Sequence, residues 1–187
     1  MKKIFIASDH AGYNLKNSII SKFKKITDLG PKSSNSVDYP DYAKKLSKKV
    51  FLASDHAGFK LKEEIKKFLI KKRNKVLDLG TKNINSVDYP AYAHLLSKKM
   101  KKNKNQFGIL VCGSGTGMSM AANKHKYIRA ALCYDIKSTK LSRSHNNANV
   151  MTIGSRLIKK NVALKCVNVF LKTNFERGRH LRRVKKI

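Results

Sequence analysis

The residues best suited to chemistry fall in one short segment, Cys112-Gly113-Ser114-Gly115-Thr116-Gly117, which follows the apolar run 107–111 and precedes an amphipathic stretch. A strand-to-helix loop of this composition exposes successive backbone N–H groups. With the positive end of the following helix, they stabilise an anion or a developing oxyanion. The same glycines also suit a tight turn with positive φ, so the loop alone leaves both readings open. Its spacing is neither that of a dinucleotide-binding G-x-G-x-x-G nor that of a P-loop. Cys112 taken singly reads as a small buried hydrophobe. The end of a strand facing a helix N-terminus is, however, a setting in which a thiol can ionise below its free value of ~8.5 and serve as a base or nucleophile. Cys133 and Cys166 fall within a strand and a helix and read as core residues.

Two polar pairs join this loop as candidates, Asp55-His56 after an earlier strand and His145-Asn146 after a helix. Arg179 and Arg183 stand four apart, so in a helical tail both guanidinium forks project from one face and match a phosphate. An exposed basic tail is the plainer alternative. The three cysteines lack the close pairing of a zinc site or a disulfide framework, so reduced thiols and no metal are expected.

The elements that must position these groups alternate short apolar runs with amphipathic stretches, the signature of βαβ units. Strands are expected over 50–53, 75–79, 107–112, 128–134 and 150–154, and helices over 90–101, 116–125, 136–144 and 161–172. A further helix carries Leu61, Ile65, Phe68 and Leu69 on one face. The fold class is therefore α/β, a three-layer α/β/α sandwich around a five-stranded parallel Rossmann-like sheet. In such sheets ligands bind beyond the carboxyl ends of the strands, where the Gly-rich and charged segments are expected to gather.

Ahead of this domain lies a repeat. Ile4-Phe5-Ile6-Ala7-Ser8-Asp9-His10-Ala11-Gly12 returns as Val50-Phe51-Leu52-Ala53-Ser54-Asp55-His56-Ala57-Gly58, and Asn35-Ser36-Val37-Asp38-Tyr39-Pro40 returns as Asn85-Ser86-Val87-Asp88-Tyr89-Pro90. The offset grows from 46 to 50 between these blocks, which places a loss of about one turn in the first helix of the first copy. The expected organisation is a truncated βαβα duplicate over 1–49 and a complete domain over 50–187.

Composition limits the remaining function classes. No apolar run approaches the ~18 residues of a membrane-spanning helix, and Asp9 and His10 interrupt the basic-then-apolar start, so a cytoplasmic protein is expected. The net charge of +31 raises nucleic acid as a partner. Yet 34 of the 42 positive charges are lysines in scattered pairs, and no recognition motif accompanies them. Such a field would instead attract a small anionic substrate.

Taken together, Ser54-Asp55-His56-Ala57-Gly58, Asp88-Tyr89-Pro90, the 112–117 loop, Ala121-Ala122-Asn123-Lys124, Ser142-Arg143-Ser144-His145-Asn146, Gly154-Ser155-Arg156 and Gly178-Arg179-His180 closely resemble type B ribose-5-phosphate isomerases, in order and in spacing. The resemblance covers 50–187. It implies metal- and cofactor-free interconversion of ribose 5-phosphate and ribulose 5-phosphate through a cis-enediolate, a step of the pentose phosphate pathway. Cys112 is implied as the base, Ser114 as a proton shuttle and His145 as the group that opens the sugar ring, with Asn146 beside it. Gly113, Gly115, Thr116 and Gly117 are implied as holding the enediolate oxygens, Asp55 the sugar hydroxyls, His56, Arg156, Arg179 and Arg183 chiefly the phosphate, and Tyr89 the pocket wall. A homo-oligomer, dimer or tetramer, with sites shared between subunits is implied too. Galactose-6-phosphate or allose-6-phosphate isomerases of the same superfamily share these motifs, and a basic nucleic-acid-binding module is the alternative from another class.

Overall fold

The computed structural model describes residues 4–23, 26–36, 49–101 and 106–187, and the chain divides into two compact units, Met1–Lys48 and Lys49–Ile187. In the first unit, β1 (Ile4–Ile6) pairs in parallel with β2 (Ile26–Asp28), and α1 (Tyr13–Lys22) joins them. The second helix expected of this βαβα segment falls on residues 37–48 and lies outside the described residues.

The second unit runs β3 (Lys49–Ser54), α2 (Phe59–Lys71), β4 (Lys75–Asp78), α3 (Tyr89–Met100), β5 (Phe107–Cys112), α4 (Thr116–Asn123), β6 (Ala130–Leu132), α5 (Ile136–Ser144), β7 (Val150–Gly154), α6 (Lys160–Lys172) and α7 (Gly178–Val184). Its strands form one parallel sheet in the order β4-β3-β5-β7-β6. Because side chains alternate along a strand, each central strand feeds two cores. Val50, Leu52, Ile109 and Val111 pack with α2 and α6 on one face. Phe51, Ala53, Leu110 and Cys112 pack with α3 and α4 on the other. This is the expected three-layer α/β sandwich.

Several boundaries differ from the sequence expectation, each for a local reason. The strand expected over 128–134 is paired only over Ala130–Leu132. Ile128 turns back on His125, and the Arg129 N–H is taken by the Asn149 side chain, so Arg129 offers the ladder only its carbonyl, which accepts the Val150 N–H at 3.3 Å. The helix expected to reach residue 125 ends at Asn123, where the N–H groups of Lys124 and His125 close tighter bonds to Ala121 and Ala122. In α2, Lys62 is buried among the apolar positions because its amine reaches both oxygens of Asp78, at 3.0 and 2.9 Å.

Candidate active site

Three loops meet beyond the carboxyl ends of β3, β5 and β7, which are neighbours in the sheet. From β3 the chain goes to β4 on one side and then returns to β5 on the other. The first two loops therefore flank a topological switch point, where open α/β sheets bind ligands. In the first loop the Asp55 carboxylate accepts the Gly58 N–H at 2.8 Å and fixes the turn into α2. A Cβ on Gly58 would lie 2.2 Å from the Val111 carbonyl oxygen, so only glycine lets this loop rest on the end of β5. His56 Nδ1 accepts the Val87 N–H at 3.2 Å, leaving Nε2 for another partner.

The second loop begins at Cys112, a buried residue whose sulfur accepts the Gly115 N–H at 3.0 Å. Gly115 holds φ at 81°, the left-handed conformation that starts α4 immediately behind the sulfur. The third loop is tied to the other two. The Ser155 N–H donates to the Cys112 carbonyl at 2.8 Å and its hydroxyl to the Ala57 carbonyl at 2.8 Å, while the Arg156 N–H donates to the Gly113 carbonyl at 3.1 Å.

These loops, with the first turns of α3 and α4, line a cavity of about 420 Å³ formed by Asp55, His56, Ala57, Tyr89, Cys112, Gly113, Ser114, Gly117, Arg156 and Leu157. That volume lies at the small end of ligand pockets, suited to a small metabolite. Of the residues singled out in the sequence, Asp55, His56, Tyr89, Cys112, Gly113, Ser114, Gly117 and Arg156 are thus brought together. Gly115 serves from behind through its bond to sulfur, and Thr116, exposed at the first position of α4, does not line the cavity. Ala57 and Leu157 were missed by sequence reasoning, although each adjoins a residue it had marked. The two other thiols are set apart by burial, which pushes Cys133 up to about 11 and raises Cys166 as well.

His145, Asn146, Arg179 and Arg183 do not line this cavity, which corrects the expectation that the charged segments gather at the carboxyl ends. The connectivity gives the reason. Helix α5 leaves the carboxyl end of β6 and runs back across the sheet, so His145 at its C-terminus lies where β7 begins. Helix α6 returns the same way, and the Glu176 N–H bonds the Ser144 carbonyl at 2.9 Å, bringing α7 to that same end. There the His145 and His180 rings stack 4.1 Å apart and 9° from parallel, with Glu176 Oε2 3.7 Å from His145 Nε2 and 4.0 Å from His180 Nε2. Burial, followed by the neighbouring His145 and Arg179, holds the His180 imidazole below its usual range. Arg179 and Arg183 are exposed on α7, whose helical backbone meets the condition under which their spacing puts both on one face.

Known proteins resemble this chain in sequence and in fold. The Ribose/Galactose Isomerase family profile matches residues 4–51 and again 50–187. The probable ribose-5-phosphate isomerase B of Mycoplasma pneumoniae is 44% identical across 98% of this chain and 91% of its own length. Ribose-5-phosphate isomerase B of Escherichia coli is 41% identical across 100% and 95%. Among solved structures, the Thermotoga maritima ribose 5-phosphate isomerase superposes with a TM-score of 0.72 and 48% identity, over 74% of this chain and 95% of that one. The Mycoplasma genitalium ribose-5-phosphate isomerase B, solved with bound ribulose-5-phosphate, gives 0.72 and 46% over 75% and 93%. No helix among the described residues is long and apolar enough to cross a membrane. A family profile that fits the whole second unit, and relatives above 40% identity spanning nearly their full length, place this chain in the ribose/galactose isomerase family, to which it belongs.

Proposed function

We propose that this chain interconverts ribose 5-phosphate and ribulose 5-phosphate through a cis-enediolate, with Cys112 as the base. The observation that carries this reading is the sulfur of Cys112 in a small cavity, with the Gly115 N–H 3.0 Å away and Asp55, His56, Ser114 and Arg156 around it. The thiolate takes the proton from C2 of the open-chain aldose. The C2–H electron pair becomes the C1–C2 double bond and the carbonyl pair moves onto O1, where loop N–H groups stabilise the charge. Ser114 relays the hydroxyl proton from O2 to O1, and the Cys112 thiol returns its proton to C1. The Asp55 carboxylate accepts hydrogen bonds from the sugar hydroxyls.

Cys112 and His145 stand at opposite ends of one sheet, so a single chain does not gather all the groups this reaction needs. In our reading a second copy supplies His145 to open the furanose ring, Asn146 beside it, and Arg179 and Arg183 to hold the phosphate together with His56 and Arg156. The working enzyme is then a cytoplasmic homo-oligomer with shared sites. The bound ribulose-5-phosphate of the Mycoplasma genitalium relative supports the five-carbon sugar over longer ones.

The test is a side-by-side assay of ribose 5-phosphate, allose 6-phosphate and galactose 6-phosphate. The highest kcat/KM is expected for ribose 5-phosphate, and turnover confined to a six-carbon sugar would overturn the assignment.

A further inference from the structure

We propose that His145, Glu176 and His180 form a binding site for a divalent transition-metal ion, zinc fitting best, and that the bound ion inhibits the isomerase by withdrawing His145 from the sugar. Two imidazoles and one carboxylate are a donor set that zinc uses when a fourth position stays open. The three ligand atoms lie within 4.8 Å of one another. Bonds of about 2.0–2.2 Å around a tetrahedral ion set its ligands roughly 3.3 Å apart, so a closure of at most about 1.5 Å completes the site.

The backbone holds the three ready for that closure. His145 ends α5, and the Glu176 N–H is pinned to the Ser144 carbonyl beside it at 2.9 Å. His180 follows Glu176 by four residues, and its ring already stacks on that of His145. Glu176 is exposed, so its carboxylate has room to swing onto an ion shared with both rings. Arg179 and Arg183 stand on the same helix and weaken the attraction for any cation. The site therefore suits reversible inhibition rather than permanent structural occupancy.

The inhibitory consequence rests on the ring-opening role given to His145, whereas the binding itself does not. Cobalt(II) separates the two, because its visible spectrum reports its ligands while an isomerase assay runs in parallel on the full chain. The expected result is saturable binding with nitrogen and oxygen ligands and no sulfur-to-cobalt charge-transfer band. Activity should fall along the same titration and return with EDTA. The double variant Glu176→Gln/His180→Asn should raise both the binding and the inhibition midpoints at least about tenfold. The single variant Glu176→Gln, at an exposed position, should shift them in the same direction with the fold undisturbed. A thiolate charge-transfer band, placing the ion on Cys112, or unchanged midpoints in both variants would overturn the site. Binding at the trio with full activity retained would leave the site standing and overturn inhibition through His145.

Discussion

Val50 and Phe51 at the start of β3 are 0% and 1% exposed, whereas their counterparts Ile4 and Phe5 in β1 are 48% and 45% exposed. The two segments are otherwise close copies, even in their finer contacts. Asp9 accepts the Gly12 N–H at 2.9 Å as Asp55 accepts that of Gly58 at 2.8 Å. Lys16 is buried on Asp28 at 3.0 and 2.8 Å, as Lys62 is on Asp78 at 3.0 and 2.9 Å. Short-range sequence thus suffices to build the Asp-His loop and the lysine clamp. It does not suffice to bury the strand, which in the second unit is flanked by β4 and β5. Nor does it supply a base, because the first segment has no counterpart of the loop that begins at Cys112. Helix α1 is also shorter than α2, 10 residues against 13. We therefore propose that activity resides in the second copy.

The largest effect expected from this comparison is catalytic. Asp55→Ala/His56→Ala in the full chain should lower kcat/KM by roughly 100-fold or more, while Asp9→Ala/His10→Ala should change it by less than about twofold. Steady-state kinetics on ribose 5-phosphate decide it, and the reverse pattern would mean that the first copy serves the active domain.

A stability difference should follow between equivalent glycines. An added Cβ at Gly58 meets the Val111 carbonyl oxygen at 2.2 Å and carbon at 2.5 Å, whereas at Gly12 the nearest atom is the Ser8 Cβ at 2.9 Å. Backbone at such distances cannot swing aside, so Gly58→Ala should cost about 3 kcal/mol or more in denaturant unfolding. Gly12→Ala should leave the main unfolding transition in place.

Within the second unit, Cys112 should be alkylated by iodoacetamide faster than Cys133 and Cys166, both fully buried with thiols pushed up by burial. Peptide mass spectrometry over time gives the order, and equal rates would count against a reactive sulfur at Cys112.

The smallest effect concerns the lysine clamp and pH. Burial pushes the Asp78 carboxyl up, but Lys66, the Gly80 N–H and Lys62 outweigh it and hold the group below the ordinary carboxylate range. A depressed folded-state pKa contributes stability that is present above the unfolded value of about 4 and is lost as pH falls through the folded value. The urea midpoint of the wild type should therefore fall between about pH 5 and pH 2. Asp78→Asn should start lower at neutral pH, since it removes one of the two carboxylates that hold the buried Lys62 amine, Glu63 at 2.7 Å being the other, and should vary less with acid.

Much of this was legible in the sequence because strand and helix periods are short-range properties. The five strands and the 112–117 loop follow from apolar runs and from motifs at strand ends, whereas Arg156 entered the candidate site only through the family resemblance. The separation of His145 from Cys112 was not legible as a list of motifs, because it depends on which end of the sheet each helix returns to. Counting helices from β6 through α5 to β7 would have given it. The edge of β6 was set by one side-chain bond, Asn149 to the Arg129 N–H, which no periodicity records. Ala57 and Leu157 lack reactive groups and enter the site only by position.

In the proposed reaction the sulfur of the second copy's loop, which has no counterpart in the first, moves the substrate proton. Incorporation of solvent deuterium at C2 of ribose 5-phosphate, followed by proton NMR in D₂O, measures that step directly. The wild-type chain should exchange this proton, and Cys112→Ala, a small truncation in an intact fold, should exchange it no faster than buffer alone. Exchange at the wild-type rate in Cys112→Ala would contradict the account.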